Sequence, residues 1–522
     1  MRHLPNRPGI GRRAAMRGTA GIALAAGLGV PGAARAQAKP SLTVALGSDV
    51  VSLDPDRIPG GNEYLFMANV FEGLYGHDEN GKLTPILAEA VTPSADGLAY
   101  DFTLRAGAKF HNGDPVTAED VRFSWQRAAA PETHNPRAAI LVANIADVIV
   151  QDDRHCRVTL KRRDASFMEN LGEFFYIKPK KYLQAVGDEA FAKQPVGSGP
   201  FAFVDRRVKS FIKLRGFDGH WGRVPKVGEV MMKIVPDDQS RAAQIQTGEA
   251  DIVCNVPPAL VMPLQRLPNI KILRVSSFNN IFVPINAVAN PNLAKPEVRR
   301  ALNMAIDKAA LVKTVMFGFA TAQDLPCNSA ILGCDVKVEP YGYNPQKAHE
   351  MLVSAGFDFS KPLHFLGQAP GRVPQSRETV EGITYFLNKI GVKTEVTILD
   401  YGAWMAIYGG KVKDPQIDLL YANFTDYNAD PSGRLLRAIR SGGSYSWYSN
   451  PEVDAMLDRM NDFASPAERA PFLRQLFAKL HEEAPVITLW TLDSIYAVGK
   501  GISWAPTPNV SWPVLWNVVK AA

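Results

Sequence analysis

Strand-like and helix-like hydrophobic periods follow one another along the chain, and this pattern restricts the fold class more than any other feature. Apolar side chains recur at every second position in residues 42–46, 100–104 and 230–234, as in half-buried strands. Helical periods begin at or just after Thr117, Pro296 and Ser465, which are residues that open helices. The sequence has no internal repeat and no regular strand-helix-strand period, so it indicates neither a barrel nor a single doubly wound sheet. The sequence therefore predicts a mixed α/β protein.

The N-terminus has the composition of an export signal. Residues 1–17 contain five arginines and no acid, and a Gly/Ala-rich apolar stretch follows as far as residue 34. Ala34, Arg35 and Ala36 form a small-x-small cleavage pattern, so residues 1–36 are predicted to be a signal peptide. The adjacent Arg12 and Arg13 resemble a twin-arginine signal, and an ordinary secretory signal is the alternative. No cysteine lies near the cleavage site, so we expect a free periplasmic protein without a lipid anchor.

Removal of the signal changes the charge balance. The formal charge of +6 comes from 58 basic and 52 acidic residues, and residues 1–36 hold six arginines and no acid. The mature chain then has 52 basic and 52 acidic residues, a formal charge of zero. This balance gives no reason to expect nucleic acid or an anionic membrane surface as a partner. The 486 residues that remain of 522 are enough for two or three domains.

Four cysteines in an oxidising compartment permit disulfides. Cys327 and Cys334 have six residues between them in a loop that contains glycine, so a local bridge is the expected pairing. Cys156 and Cys254 lie far apart in strand-like apolar runs, where buried free thiols are favoured over a second bridge.

The sequence contains none of the motifs that mark zinc proteases, P-loop proteins, dinucleotide-binding proteins or serine hydrolases. Segment 197–200 reads Gly-Ser-Gly-Pro, but Pro200 opposes the helix that a nucleophile elbow must enter. His111, His134 and His155 share one region of the chain without the spacing of metal ligands. We therefore expect no catalytic residues, no metal site and no cofactor.

A series of short sequence fragments, in a fixed order, carries a family resemblance. The fragments are Leu-Ala-Glu at 87–89, Asp-Gly at 96–97, Phe-Thr-Leu-Arg at 102–105, Phe-His-Asn-Gly at 110–113, Thr-Ala-Glu-Asp-Val at 117–121, Gly-Ser-Gly-Pro-Phe at 197–201, Trp-Gly at 221–222, Thr-Gly-Glu-Ala-Asp at 247–251, Val-Arg-Arg-Ala-Leu at 298–302, Ala-Ile-Asp at 305–307, Tyr-Asn-Pro at 343–345, Asp-Pro at 430–431 and Asn-Pro-Glu-Val-Asp at 450–454. Together they resemble the family 5 extracellular solute-binding proteins of ABC transporters, the oligopeptide, dipeptide and nickel-binding group. The resemblance covers nearly the whole mature chain.

The resemblance implies a periplasmic-binding-protein-like fold of two lobes around a deep cleft, with an additional inserted domain. Mapped onto this chain, the first lobe is discontinuous and consists of residues 39–71, 194–274 and 489–522. The inserted domain is expected at 72–193 and the second lobe at 275–488. A hinge between the lobes would close over the solute.

The resemblance also points to pocket residues in the second lobe. Asp426 falls where oligopeptide-binding members place the aspartate that pairs with the α-ammonium of the peptide, and Tyr427 follows it. Here one more residue, Ala429, separates this aspartate from the Asp-Pro pair than in most members, and Phe424 stands near a position where tryptophan is common. Trp404 corresponds to a pocket aromatic in the peptide binders, with core packing as the alternative.

Two arginines and a glycine-rich loop complete the candidate binding residues. Arg372 lies near the region where dipeptide binders keep an arginine for the peptide carboxylate, which a guanidinium can bind with two parallel hydrogen bonds. Arg137 lies where oligopeptide binders bring a tyrosine toward the far end of the peptide. Gly60 and Gly61 belong to a loop expected to run along the cleft, where glycines let backbone groups approach a ligand.

The resemblance implies a periplasmic solute-binding component that delivers a peptide or similar small organic solute to ABC importer permease subunits in the inner membrane. We expect a monomer. A metal chelate, a sugar or an opine-like solute is the alternative ligand, since this fold hosts many ligands. An exported hydrolase is the alternative from another class, and it would need a nucleophile with its base or a metal cluster.

Overall fold

The computed structural model describes residues 39–57, 63–133, 139–369, 373–410, 416–426, 428–508 and 514–521. The predicted signal peptide lies outside these ranges. Within them, no helix is both long enough and apolar enough to cross a membrane.

The strands are β1 (Ser41–Leu46), β2 (Tyr75–His77), β3 (Leu83–Pro85), β4 (Ala88–Pro93), β5 (Ala99–Leu104), β6 (Ile145–Val150), β7 (His155–Leu160), β8 (Phe201–Arg207), β9 (Phe211–Gly216), β10 (Glu229–Ile234), β11 (Ile252–Val253), β12 (Ile270–Pro284), β13 (Ala320–Ala322), β14 (Leu363–Gln368), β15 (Thr394–Leu399), β16 (Leu419–Leu420), β17 (Ala422–Thr425), β18 (Val486–Gly499), β19 (Ile502–Ser503) and β20 (Val519–Lys520). β1, β5 and β10 coincide with the three predicted strands. In β5 every second side chain is buried, which is the pattern that the sequence predicts.

The α-helices are α1 (Glu63–Val70), α2 (Ala118–Ala129), α3 (Ala139–Asn144), α4 (Phe167–Phe174), α5 (Lys180–Val186), α6 (Asp188–Phe191), α7 (Asp238–Thr247), α8 (Pro258–Gln265), α9 (Pro296–Met304), α10 (Lys308–Thr314), α11 (Pro345–Ala355), α12 (Ser376–Lys389), α13 (Tyr401–Tyr408), α14 (Ser432–Ala438), α15 (Pro451–Arg459) and α16 (Pro466–Glu483). Short 3₁₀ turns lie at Pro55–Arg57, Pro131–Thr133 and Pro291–Leu293.

The predicted helix starts are confirmed. Thr117 precedes α2, and its backbone N–H donates to the carboxylate of Asp120 at 2.9 Å. Pro296 is the first residue of α9, where its missing N–H does no harm. Ser465 caps α16 by accepting a hydrogen bond from the backbone N–H of Glu468 at 3.3 Å.

The largest sheet has the strand order β17-β12-β18-β11-β1-β10-β9-β8, with β13 also paired to β18. β1 runs parallel to β10 and β11. A separate antiparallel sheet has the order β4-β5-β7-β6, and a small parallel sheet has the order β15-β14-β16. The mixed α/β class predicted from the sequence is confirmed.

Apolar side chains gather into separate cores along the chain. One core draws its buried members from residues 42–71, 183–254 and 496–518. A second core lies wholly within residues 74–177 and covers the four-stranded sheet. Two further cores lie within residues 278–492.

The long strands β12 and β18 connect the first of these cores to the later ones. Leu273 of β12 packs against the first core, whereas Val283 of the same strand is buried in a core of residues 281–492. The antiparallel register between the two strands is interrupted between Ser276 and Asn280. Such an irregularity bends a strand locally, and here it lies where the pair passes from one core to the next.

Candidate functional site

A cleft lies between the region of α3 and α4 and the segment that follows β17. Two hydrogen bonds join its walls: the Asn428 side chain donates to Oδ1 of Asn170 at 3.2 Å, and the backbone N–H of Ala165 donates to the carbonyl of Asn461 at 3.2 Å. The cleft is narrow: the centres of water-sized molecules can occupy about 70 Å³ of it, and the space between its walls is about 710 Å³ when open solvent is included. Its polar lining includes Ser166, Asn170, Asp426, Asn428, Arg434 and Arg437.

Asp426 lies directly after β17 and is held in place by the neighbouring strand. Its backbone N–H donates to the carbonyl of Phe278 at 3.0 Å, and its side chain is only 3% exposed. Both carboxylate oxygens accept from Nε of Arg434 at 3.0 Å, and Oδ2 also accepts from the Asn280 side chain at 3.0 Å. Burial raises the pKa of Asp426 to about 6, although the charge of Arg434 acts in the opposite direction.

Helix α14 brings two arginines to the cleft. Arg434 and Arg437 are three residues apart, so they lie on the same face of the helix. Arg434 is buried and also donates from Nη1 to the carbonyl of Pro326. The guanidinium of Arg437 lies 4.8 Å from the ring centroid of Phe424, which is a cation–π distance. Phe424, a predicted pocket residue, thus lines the cleft and supports Arg437.

A second buried carboxylate in the same wall has a different role. Asp430 forms an ion pair with Arg469, which also donates from Nη2 to the hydroxyl of Ser432 at 2.6 Å. Burial acts to raise the pKa of Asp430, but the charge and hydrogen bonds of Arg469 outweigh it, and the pKa lies below its ordinary value. This pair fixes the turn that starts α14.

A disulfide joins Cys327 to Cys334, the pairing that the sequence analysis expects. The loop that it closes contacts the segment of Asp426, because the backbone N–H of Leu332 donates to the carbonyl of Ala429 at 2.9 Å. Pro326, which accepts from Arg434, directly precedes the bridge. The disulfide loop therefore supports the cleft wall from behind.

The other two cysteines are free and buried. Burial raises the pKa of the Cys156 thiol and of the Cys254 thiol to about 12. Both positions therefore hold neutral, unreactive thiols at physiological pH.

Trp404 lies in the core behind the cleft wall. The side chain is 2% exposed, and its Nε1 donates to the carbonyl of Tyr421 at 3.1 Å. Its ring packs against Tyr401 and Tyr408 with centroids 5.9 Å and 5.0 Å away. Core packing, the alternative that the sequence left open, describes this environment, and Trp404 is not among the residues that line the cleft.

Five other predicted binding residues, Tyr427, Arg372, Arg137, Gly60 and Gly61, lie outside the described residues. Conversely, the sequence analysis did not single out Arg434, Arg437 or Asn170. The arginine pair could have been found from its spacing of three residues on the helix that follows Asp430. Nothing in the sequence around Asn170 indicates a role in the cleft.

Segment 197–200 is a packing element. A side chain on Gly197 would place its Cβ 2.0 Å from the carbonyl oxygen of Val70, so only glycine fits this close approach. The backbone N–H of Gly197 donates to Nδ1 of His111, whose Nε2 donates to the carbonyl of Gly199 at 2.9 Å. Burial lowers the pKa of His111 to about 4, so it is neutral.

Across the described ranges, no group of three or more histidine, cysteine, aspartate or glutamate side chains is arranged to hold a metal ion. The absence of a metal site from the whole chain stays a prediction.

Comparison with known proteins identifies relatives over nearly the whole chain. Residues 82–446, more than half of the chain, match the family described as bacterial extracellular solute-binding proteins, family 5 Middle. The glutathione-binding protein GsiB of Pectobacterium atrosepticum is 29% identical over 477 residues, which covers 88% of this chain and 90% of the relative.

Solved structures of similar fold cover equally large shares. The periplasmic binding protein DppA from Helicobacter pylori, in complex with the peptide STSA, is 25% identical with a TM-score of 0.79, and the match covers 92% of this chain and 98% of DppA. The substrate-binding protein CtaP from Listeria monocytogenes is 21% identical with a TM-score of 0.85, and the match covers 93% of this chain and 100% of CtaP. The expected periplasmic-binding-protein-like fold is thereby confirmed.

Proposed function

The chain belongs to the bacterial extracellular solute-binding proteins of family 5, and we propose that it captures a peptide or a similar small organic solute for an ABC importer. The solute occupies the cleft between residues 141–174 and 424–437. The observation that carries this proposal is a buried carboxylate, Asp426, on the wall of a cleft that also holds two arginines. The names of relatives, a glutathione-binding protein and a protein in complex with a peptide, support the same ligand class.

Asp426 is the proposed anchor for the amino group of the solute. A carboxylate offers about four acceptor positions, and Arg434 and Asn280 occupy only part of them. An incoming ammonium would add a charge-assisted hydrogen bond in a site shielded from water, where such a bond is strong. The candidates for binding the carboxylate end of the solute are Arg372 and Arg137. The candidates for contacts along the length of the solute are Tyr427, Gly60 and Gly61.

We assign the first lobe to residues 39–71, 194–274 and 489–522, the inserted domain to 72–193 and the second lobe to 275–488. Separate cores support this division away from its boundaries. At the boundaries, Leu183 and Phe191 pack in the first core, and Leu489, Trp490 and Leu492 pack in a core of residues 281–492. The paired strands β12 and β18 are the proposed hinge, since they connect these cores and their register is interrupted between them. Closure over the solute would present a loaded form to the permease by a population shift.

The proposed location is the periplasm. Residues 1–36 would direct export through the twin-arginine route and be removed after Ala36, leaving a soluble monomer that meets its permease at the inner membrane. The mature protein would act as a binder without catalytic turnover.

The experiment that tests this function combines purification and thermal unfolding. Mass spectrometry of the molecule that co-purifies with the mature protein identifies the native solute. A panel of di-, tri- and tetrapeptides should then raise the unfolding temperature without being consumed, because binding to the folded state alone stabilises it. Hydrolysis of the peptides, or a panel in which no peptide shifts the transition, contradicts the proposal.

A further inference from the structure

We propose that His481, in its protonated form, is a positioning residue for the cleft wall. Its imidazolium ring joins the two ends of segment 324–339, and this segment holds Arg434 in place. Loss of the proton releases one end of the segment and loosens the wall. The inference goes beyond the proposed function, and it is tested on the protein without any solute.

Both ring nitrogens of His481 lie at hydrogen-bond distance from backbone carbonyls. Nδ1 is 3.1 Å from the carbonyl oxygen of Asp324, and Nε2 is 2.8 Å from that of Glu339. A carbonyl oxygen only accepts hydrogen bonds, and a neutral imidazole has a single N–H. Both contacts are therefore hydrogen bonds only when the ring carries both protons, as an imidazolium.

The surroundings of the ring suit a cation. The ring stacks on Tyr341 with centroids 4.1 Å apart, and an aromatic face attracts positive charge. His481 also lies in the last turn of α16, where the helix dipole favours a cation. Tyr341 adds a further link, because its hydroxyl donates to the carbonyl of His481 at 2.6 Å.

The charges around His481 are largely paired with one another. Ion pairs of 3.0–3.5 Å join Asp324 to Lys308, Glu297 to Arg300, and Glu483 to Arg299 and Lys479. Exposed carboxylates belong to Glu339 and Glu482. The ring nitrogens themselves contact uncharged carbonyls, so the proton on His481 decides whether one or two hydrogen bonds form.

Segment 324–339 supports the cleft wall at two points. Near its start, the carbonyl of Pro326 accepts a hydrogen bond from Arg434. Further along, the backbone N–H of Leu332 donates to the carbonyl of Ala429 at 2.9 Å. A compact loop whose ends are joined holds such contacts in a fixed geometry. Releasing one end gives the segment more conformations, so the contacts with the wall become weaker.

Hydrogen exchange of the empty mature protein at pH 6 and pH 8 tests the inference, because histidine ordinarily changes charge between about pH 5 and pH 8. Protection is measured relative to the unfolded chain at each pH. It should be about three- to tenfold lower at pH 8 in residues 324–339 and in α14, as expected for the loss of one hydrogen bond. Asp426, with a pKa of about 6, acts in the opposite direction, since its protonation at the lower pH weakens its pair with Arg434.

Variants assign the change to His481. His481→Gln removes the charge, and His481→Phe keeps a stacked ring without donors. In both, protection at pH 6 should match that of the wild type at pH 8, and the pH dependence should vanish. His349→Gln is the matched control, since His349 donates from Nδ1 to a single carbonyl, that of Ile390, at 2.9 Å and a neutral ring suffices for this bond. It should leave residues 324–339 unchanged, and thermal unfolding checks that each variant is folded.

The outcomes are distinct. Equal protection at both pH values in the wild type overturns the inference without any variant, and so does a pH dependence that persists in His481→Gln. A change confined to residues 324–339 that leaves α14 unaffected overturns the role of His481 in positioning Arg434. Failure of the proposed function is a separate result, because it is the absence of binding in the peptide panel.

Discussion

The guanidinium of Arg434 contacts both carboxylate oxygens of Asp426, with Nε 3.0 Å from each, and both side chains are buried. The proposed anchor for a solute ammonium is therefore already paired with an internal cation. Removing the pair from water raises the pKa of Asp426 to about 6 in spite of the arginine. Protonation of this one group can thus influence both solute affinity and stability.

Solute affinity should fall as the pH decreases from 7 to 5. Below the pKa of about 6, Asp426 is protonated in the empty protein, and the proton must leave before an ammonium can pair with the carboxylate. The expected loss approaches about tenfold per pH unit. Calorimetry at a series of pH values measures it, and Asp426→Asn should have no such dependence. A wild-type affinity that is constant over this range contradicts the assignment of the anchor.

Asp426 should also make the empty protein less stable at neutral pH than at acidic pH. The folded pKa of about 6 lies above the ordinary value of 3.8, so the stabilisation from protonating Asp426 is present at low pH and is lost as the pH rises through 6. The difference in the free energy of unfolding between wild type and Asp426→Asn should therefore change between pH 4 and pH 7, with wild type losing stability relative to the variant. Urea unfolding at both values provides the measurement.

Opening the disulfide should weaken solute binding as well as the fold. The Cys327→Ser/Cys334→Ser variant should lose about 2–3 kcal/mol in the free energy of unfolding, as expected for a short closed loop. Solute affinity should also fall, because the bridge fixes Pro326, just before the loop, whose carbonyl accepts from Arg434, and Leu332, within the loop, whose N–H donates to Ala429. Cys254→Ala is the control, since Cys254 is a buried free thiol away from the cleft. Unchanged affinity in the double variant would show that the loop does not support the site.

Arg127 should be a major determinant of stability. It donates to Asp54 at 3.0 Å and to Asp188 at 2.9 Å, and both Arg127 and Asp54 are buried. Arg127→Met leaves the buried carboxylate of Asp54 with only its longer ion pair to Arg57, at 3.8 Å, at a cost of about 3–5 kcal/mol. Arg154→Met removes an exposed pair with Glu89 and should cost less than about 1 kcal/mol. Denaturant unfolding of both variants compares them, and equal costs would refute the assigned role of burial.

The sequence predicts more of the fold than of the site. Strands such as β5 follow from alternating apolar residues, and the start of α16 follows from Ser465 and Glu468, because both patterns reflect local physics. The position of Asp426 followed from the family resemblance. The pairing of the Asp426 carboxylate with Arg434 could not be predicted in this way, because arginines follow both Asp426 and Asp430 at several distances in the chain.

The structure resolves that ambiguity through the geometry of the turn before α14. Asp430 pairs with Arg469, 39 residues later, which leaves Arg434 for Asp426, 8 residues earlier. Contacts of this kind depend on how a loop and two helices pack, so local sequence patterns do not encode them. The environment of Trp404 is a similar case, since an aromatic residue on α13 could have faced the cleft or the core.

The most direct test of solute capture through Asp426 is a two-by-two calorimetric cycle that combines Asp426→Asn with N-acetylation of a bound peptide. Each change alone should weaken binding by two to three powers of ten, or about 3–5 kcal/mol, because each leaves one partner of a buried charge pair alone. Applied together, the second change should add little, since the contact is already lost. Circular dichroism checks that the variant is folded. Equal binding of the free peptide by wild type and Asp426→Asn contradicts the account.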